Sequence, residues 1–362
     1  MVGRGGFFIL CGAVTLSAQP LDIGDRRQLF IDRKFVESTR GVELRVHTPR
    51  KTGEITIPWD PAWELGGRHA VIEKDGVYHL WCTAGAGAWY AHSSDGIHWE
   101  RPDPSLAKAP DPPGPDKNEV FPYPWADGVY FMFPALYYRY GDRQREFSKE
   151  SPVDAGTIDV RFAASRDGAS WEHFGRQPFV RLGMDGEFDS KRIHMVNGMV
   201  PAMNGRELYM YYMGTNEPHG WNRDKRNNRI LFAAGVAPNP PRRAISRVVL
   251  RRDGFVSVSA PYAGGEFTTP PLKFRGSQLV LNLQTYSSGE VRVEIQDESG
   301  RPMPGFALSD ADLIHSANEI DRPVSWKGVS AVDALASKTI RLRIVLRDAD
   351  LYAFQFRDRP AF

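Results

Sequence analysis

The chain has 362 residues, 41% hydrophobic and 25% charged, an ordinary globular composition long enough for two domains or one large all-β domain with an appendage. Lys and Arg number 46 against 44 Asp and Glu, so no bulk field directs the protein to nucleic acid or to an anionic membrane.

Residues 1–19 read as an export signal: Arg4 supplies the positive start, Phe7 to Leu16 the short apolar core, and Ser17-Ala18-Gln19 the small residues of a cleavage site. The apolar run is too short to span a bilayer. The mature protein is therefore expected to be secreted or periplasmic, with no membrane attachment after cleavage. Cys82 would then be its lone cysteine, in a strand and without a disulfide.

Past residue 40 the sequence repeats itself. Lys74-Asp75-Gly76-Val77-Tyr78-His79-Leu80-Trp81 resembles Ala126-Asp127-Gly128-Val129-Tyr130-Phe131-Met132-Phe133, with a looser third copy at Asn204 to Tyr212. Each is a turn followed by a β-rich strand with alternating aromatics. A second phrase, Ala91-His92-Ser93-Ser94-Asp95-Gly96-Ile97-His98-Trp99, returns as Ala163-Ala164-Ser165-Arg166-Asp167-Gly168-Ala169-Ser170-Trp171. There Asp caps turn amides and Gly takes positive φ, so Asp95 and Asp167 are assigned to turn structure. One supersecondary unit used several times points to a repeat architecture. The Pro- and Asp-rich stretch Pro102 to Pro124 lengthens the interval between copies. Eight of the nine Trp lie between Trp59 and Trp221, as core packing or as surfaces for sugar rings.

Near residue 237 the character changes. Ala237-Pro238-Asn239-Pro240-Pro241 is a linker pattern, and Val248 to Phe255 is expected to start a second set of alternating strands that runs to Leu351-Tyr352-Ala353-Phe354-Gln355-Phe356. The expected fold is all-β: a propeller over residues 21–246 and a β-sandwich over 247–362.

Gln28-Leu29-Phe30-Ile31-Asp32, His47-Thr48-Pro49, the Ser-x-Asp-Gly-x-x-Trp turns, Met213-Gly214-Thr215-Asn216 and Arg251-Arg252-Asp253-Gly254-Phe255-Val256-Ser257 give the chain a family likeness. It resembles the five-bladed β-propeller glycosidase superfamily, the architecture of glycoside hydrolase families 32, 43, 62 and 68, and within it an exported bacterial branch similar to family 32. The resemblance implies a five-bladed propeller, here with a reduced last blade or with the ring closed by the amino-terminal strand. It also implies a carbohydrate substrate met at the axial pocket. The family 32 hallmarks Trp-Met-Asn-Asp-Pro-Asn-Gly, Arg-Asp-Pro and Glu-Cys are absent, so no family residue carries over to a position here.

Glycoside hydrolysis needs two carboxyl groups across the scissile bond. By the resemblance they would come from the innermost strands of different blades. The catalytic candidates are Glu64, set between Trp59 and Trp63 with Asp60 beside it, Glu119 ahead of an aromatic strand, and Glu187 and Asp189 next to a basic pair. The substrate-binding candidates are Trp59, Asp60, Trp63, His69, Arg192, His194, Asn216, Glu217, His219 and Trp221. Each has a plainer reading as well: a solvated loop carboxylate, a packing Trp, a satisfied histidine, or an Arg192–Asp189 ion pair. No HExxH, CxxC or phosphate loop occurs, so no organic cofactor or metal site is expected, with a structural calcium left open. Two functions remain, an exported glycoside hydrolase and a non-catalytic carbohydrate-binding propeller, the hydrolase being preferred over both the binding protein and a surface scaffold. The sequence leaves oligomeric state open.

Overall fold

The computed structural model describes residues 19–58, 69–84, 87–100, 120–139, 156–220 and 242–359. Among them the chain is all-β: strands in several sheets carry the fold, and the helical content is a single 3-10 turn, Asp333–Leu335. No helix among the described residues is long and apolar enough to cross a membrane. The export signal up to residue 18 and the linker prolines lie outside the described residues.

Two small sheets show how the repeated phrases fold. His69–Lys74, Val77–Ala84 and Gly87–Ser93 form a three-stranded antiparallel meander. Its first hairpin closes on Asp75 and Gly76, at φ 55° and 78°, the positive values that match a two-residue turn to strand twist. A four-stranded sheet runs Glu172–His173, Ala163–Ser165, Tyr130–Met132, Val120–Pro122.

The Ser-x-Asp-Gly turns that follow match bond for bond. Asp95 Oδ1 accepts the amides of Ile97 and His98 at 2.8 Å and the Ser93 hydroxyl at 2.9 Å. Asp167 Oδ1 accepts the amides of Ala169 and Ser170 at 2.8 and 2.7 Å and the Ser165 hydroxyl at 3.0 Å. The Ser170 amide first, then that of Ala169, holds the Asp167 carboxyl down at about 2. Both aspartates shape turns.

A seven-stranded sheet occupies the middle of the chain, in the order Ala135–Arg139, Gly156–Val160, Arg192–Met195, Glu207–Thr215, Arg243–Arg251, Arg50–Pro58, with Val200–Ala202 also on Glu207–Thr215. Its central strand is buried on both faces. Leu208, Met210 and Tyr212 pack with Ile193, Met195 and Val248, whereas Tyr209, Tyr211 and Met213 pack with Ile57, Leu80 and Ile245. This two-fold alternation is what fixes which side chains share a face.

A nine-stranded sheet is built on two long strands, Gln278–Gln296 and Arg341–Arg357. The short amino-terminal strands lie with these carboxyl-terminal ones. Leu21–Gly24 pairs with Leu272–Phe274, Gln28–Leu29 with Arg341–Arg357, Ser38–Arg40 with Gly265–Thr268, and Glu43–Val46 with Val256–Ala260. Phe30 and Phe35 seat their rings 5.7 and 5.4 Å from Phe354 in the core of that unit. Residues 21–46 thus pair as strands with the carboxyl-terminal part, while Leu29, Ile31, Leu44 and Val46 pack into the cluster of Phe131, Phe162 and Leu208. In the same way Val248 to Arg251 ends a strand of the seven-stranded sheet, and the turn at Arg252 to Gly254 leads into the strands that follow.

At that turn sits a buried ionic hub. Asp253, at φ 62° and 1% exposed, accepts Arg27 Nε at 2.6 Å, the Tyr123 hydroxyl at 2.7 Å and Asn282 Nδ2 at 2.8 Å, and its amide donates to the Tyr123 oxygen at 2.9 Å. Burial and the adjoining Asp253 charge raise the Tyr123 phenol well above its ordinary value, so it stays a donor. Removing the carboxylate takes from the buried Arg27 guanidinium one of its two anionic partners and removes an acceptor from each of Tyr123 and Asn282. Asp253→Ala is expected to lower unfolding stability by ~3–5 kcal/mol and Tyr123→Phe by ~1–3 kcal/mol in denaturant titrations; equal, small losses in both would contradict the hub.

Candidate functional site

Of the residues chosen from sequence, Trp59, Asp60, Trp63, Glu64, Glu119 and Trp221 lie outside the described residues. His69 opens the strand His69–Lys74, opposite Cys82. The other seven gather around one strand pair, Arg192–Met195 against Glu207–Thr215.

Alternation splits these seven between the two faces of the sheet. On one face, Asp189 lies over Gly214, where an added Cβ would stand 2.4 Å from the Asp189 Cβ. Only glycine leaves room for that approach. The Asp189 carboxylate is buried; it accepts Lys51 Nζ at 2.6 Å and the Tyr212 hydroxyl at 2.8 Å. Glu187 Oε2 accepts the Met184 amide at 2.9 Å. A Cβ at Gly183 would meet Asp189 Oδ1 at 2.1 Å and Glu187 Oε2 at 2.3 Å, so the two carboxylates are near neighbours. The Arg192–Asp189 ion pair weighed from sequence does not form: Asp189 takes Lys51 instead.

On the other face stand Arg192 and His194, two residues apart, with His194 opposite Met213 and Arg192 opposite Thr215. Beyond the strand end the chain turns so that Arg192 Nε donates to the Glu217 carbonyl at 2.9 Å. The Glu217 carboxylate is 2% exposed, ion-paired to Arg243 Nε and within 3.4 Å of the Thr215 hydroxyl. Asn216 Oδ1 accepts the Arg242 amide at 2.7 Å, which fixes this corner to the neighbouring strand. His219 exchanges backbone hydrogen bonds with Gly156, at 2.8 and 3.1 Å, and its ring meets Tyr137 edge-on at 4.7 Å. Arg192, His194, Asn216, Glu217 and His219 thus form one corner of the sheet, and Glu187 and Asp189 belong to the opposite side.

Burial first, then the charge of Arg192 and the ring of His219, pushes His194 down to about 4. It is a neutral imidazole at pH 7. Neither ring nitrogen hydrogen-bonds to another described residue.

Sequence reasoning overlooked Asp159. It stands in the strand Gly156–Val160, beside Arg192–Met195, and burial raises its carboxyl above the usual range despite Arg161, whose Nε is 3.1 Å away. Among the described residues it is the carboxyl group that moves upward, the direction a general acid needs. The signal was present in Thr157-Ile158-Asp159-Val160: an acid inside an otherwise apolar strand.

No group of three His, Cys, Asp or Glu among the described residues is placed to hold a metal ion. A crevice of about 780 Å³ opens elsewhere, against Arg206, Arg251, Asn318 and Tyr352, and none of the residues chosen from sequence lines it.

No known protein family matches the sequence. No curated protein matches it either. Solved structures give distant likenesses. An N-acetylgalactosamine deacetylase from F. plautii, in complex with blood group B trisaccharide, is 14% identical over 52% of this chain and 50% of its own, with a TM-score of 0.21. A glycoside hydrolase is 8% identical over 79% and 97%, with a TM-score of 0.29. A GH32 β-fructofuranosidase of Bombyx mori is 10% identical over 81% and 66%, with a TM-score of 0.15. The chain spans about half the length of the first of these.

The depressed His194 value fixes a sign. The unfolded chain takes a proton near pH 6.5 that the folded protein refuses until about pH 4, so stability is full above 6.5 and falls as pH drops through that window. The expected loss is at most ~3 kcal/mol. His194→Gln should flatten the slope in denaturant titrations at pH 7, 6 and 5. An unchanged slope would place the titration elsewhere.

Proposed function

We propose that the protein is an exported glycoside hydrolase with a propeller-like catalytic part, whose saccharide lies against the corner formed by Arg192, His194, Glu217 and His219. The observation that carries this reading is the convergence of a neutral histidine free to hydrogen-bond, two guanidinium groups and a buried carboxylate at one strand end. Sugar recognition requires directional donors and acceptors of this mixed kind. The short meander and the four-stranded sheet, followed by matching Ser-x-Asp-Gly turns, support blade-like repetition.

In this reading Glu217, bound to Arg243, offers negative charge to an oxocarbenium-like transition state and does not serve as proton donor. His194 and Arg192 orient ring hydroxyls. Glu64 and Glu119, each placed by the sequence ahead of an inner strand, supply the acid and the nucleophile or base. Asp159, with its raised carboxyl, is a further candidate for the acid.

One observation favours the non-catalytic alternative. Asp189 and Glu217 are each already ion-paired, and Glu187 already accepts a backbone amide. Purified mature protein assayed for sugar release against polysaccharides and aryl glycosides separates the readings. Hydrolysis predicts turnover that falls by ~10²–10⁴ in Glu64→Gln or Glu119→Gln with folding intact. Glu217→Gln should lower kcat more than it raises KM. Glycan binding with no turnover on any substrate would leave the lectin-like reading.

A further inference from the structure

A separate pocket of about 420 Å³ lies where five segments meet: Arg26 and Arg27, the loop with Trp125 and Asp127, Arg252, Asp321 and Arg357. Its walls carry four guanidinium groups against two carboxylates. Arg26 is committed to the carbonyls of Asp22 and Ile23, and Arg27 to Asp253, Asp321 and the Ile320 carbonyl. Two guanidinium groups are left. Arg252 approaches Asp321 Oδ2 only at 3.6 Å and Arg357 approaches the same oxygen at 3.2 Å. Neither contact has hydrogen-bond geometry, and the Nε atoms of both arginines are buried without a hydrogen-bond partner among the described residues.

Those Nε atoms are enclosed; the donors left for a ligand are the Nη groups of the two planar forks, each of which shares one Asp321 oxygen. Two under-used forks around one shared carboxylate oxygen make a site short of an acceptor. A planar carboxylate fits it best, because two parallel N–H donors can meet two oxygens. The pocket is much larger than a bare ion and is bounded on one side by the half-buried indole of Trp125, which Tyr123 holds edge-on at 5.2 Å. An apolar ring face beside an anion subsite matches a sugar ring that bears an acid.

We propose that this pocket is a second binding site, for a uronic acid residue of an acidic saccharide, with the carboxylate between Arg252 and Arg357 and the ring against Trp125. It shares no residue with the corner of Arg192 and Glu217, and stands or falls independently of hydrolysis there.

Calorimetric titration of the full mature protein with galacturonic acid, glucuronic acid, galactose, acetate and sulfate tests it. The uronic acids should bind at least tenfold more tightly than galactose and than acetate or sulfate. Arg252→Gln and Arg357→Gln should each weaken uronate binding at least tenfold, Trp125→Ala should weaken it too, and Glu217→Gln should leave it within twofold. Arg357→Lys, which keeps the charge and loses the fork, should bind weakly while giving a native near-ultraviolet spectrum, so loss of binding and loss of fold are told apart. Equal binding of galactose and galacturonate, or uronate binding unaltered in both Gln variants, overturns the site. Acetate or sulfate binding as tightly as the uronates overturns the saccharide and leaves an anion site alone.

Discussion

The buried carboxylate of Asp253 is the interaction on which most of the described structure depends. A single charge, 1% exposed, gathers a guanidinium from the amino terminus, a phenol from the loop between two strands of the four-stranded sheet, and an amide from a long carboxyl-terminal strand. A buried charge is tolerated only when such partners surround it. The preceding residue pair extends the effect. Arg251, beside Asp253, donates to Asn282 Oδ1 at 2.6 Å and to the Leu283 carbonyl at 2.9 Å, and burial lowers it to about 10, against the pull of Tyr352 and Asp253. The turn is therefore a joint between sheets. Next to the hub, Asp321 serves Arg27, Arg252 and Arg357 with two oxygens, and Arg252 and Arg357 line a pocket.

The seven-stranded sheet imposes the second constraint. Both faces of its central strand are buried in apolar clusters, so a polar group there must enter at a strand end or make a close pair. Asp189 takes the second course with Lys51 and Tyr212, over a glycine that permits it. Arg192, His194 and Glu217 take the first. That difference of address decides chemistry: the Asp189 side is filled by its own partners, and the Glu217 side retains a histidine with unsatisfied nitrogens.

Much of this was legible in the sequence because it is local. The Ser-x-Asp-Gly turns, the Asp75-Gly76 hairpin and the aromatic strands are set by residues within a few positions of one another. Arg192, His194, Asn216, Glu217 and His219 stand out singly in the sequence, and only the strand pairing brings them to one corner. The hub was not. Asp253 meets Tyr123 across 130 positions and Arg27 across 226, and no pattern in one sequence encodes such a meeting. For the same reason the double attachment of residues 21–46 is not legible: Phe30 and Phe35 meet Phe354, whereas Leu29 and Ile31 join the cluster of Phe131 and Phe162. Asp159 does not stand out in the sequence, because an acid inside an apolar strand is indistinguishable there from a paired structural carboxylate.

A crystal structure of the mature protein with a saccharide that it binds or releases would locate the sugar. Sugar density is expected at the strand end of Arg192, His194 and Glu217, with a hydroxyl in hydrogen-bond reach of a His194 nitrogen. Density on the Asp189 and Glu187 side of the sheet, with the Arg192 corner empty, would contradict that placement.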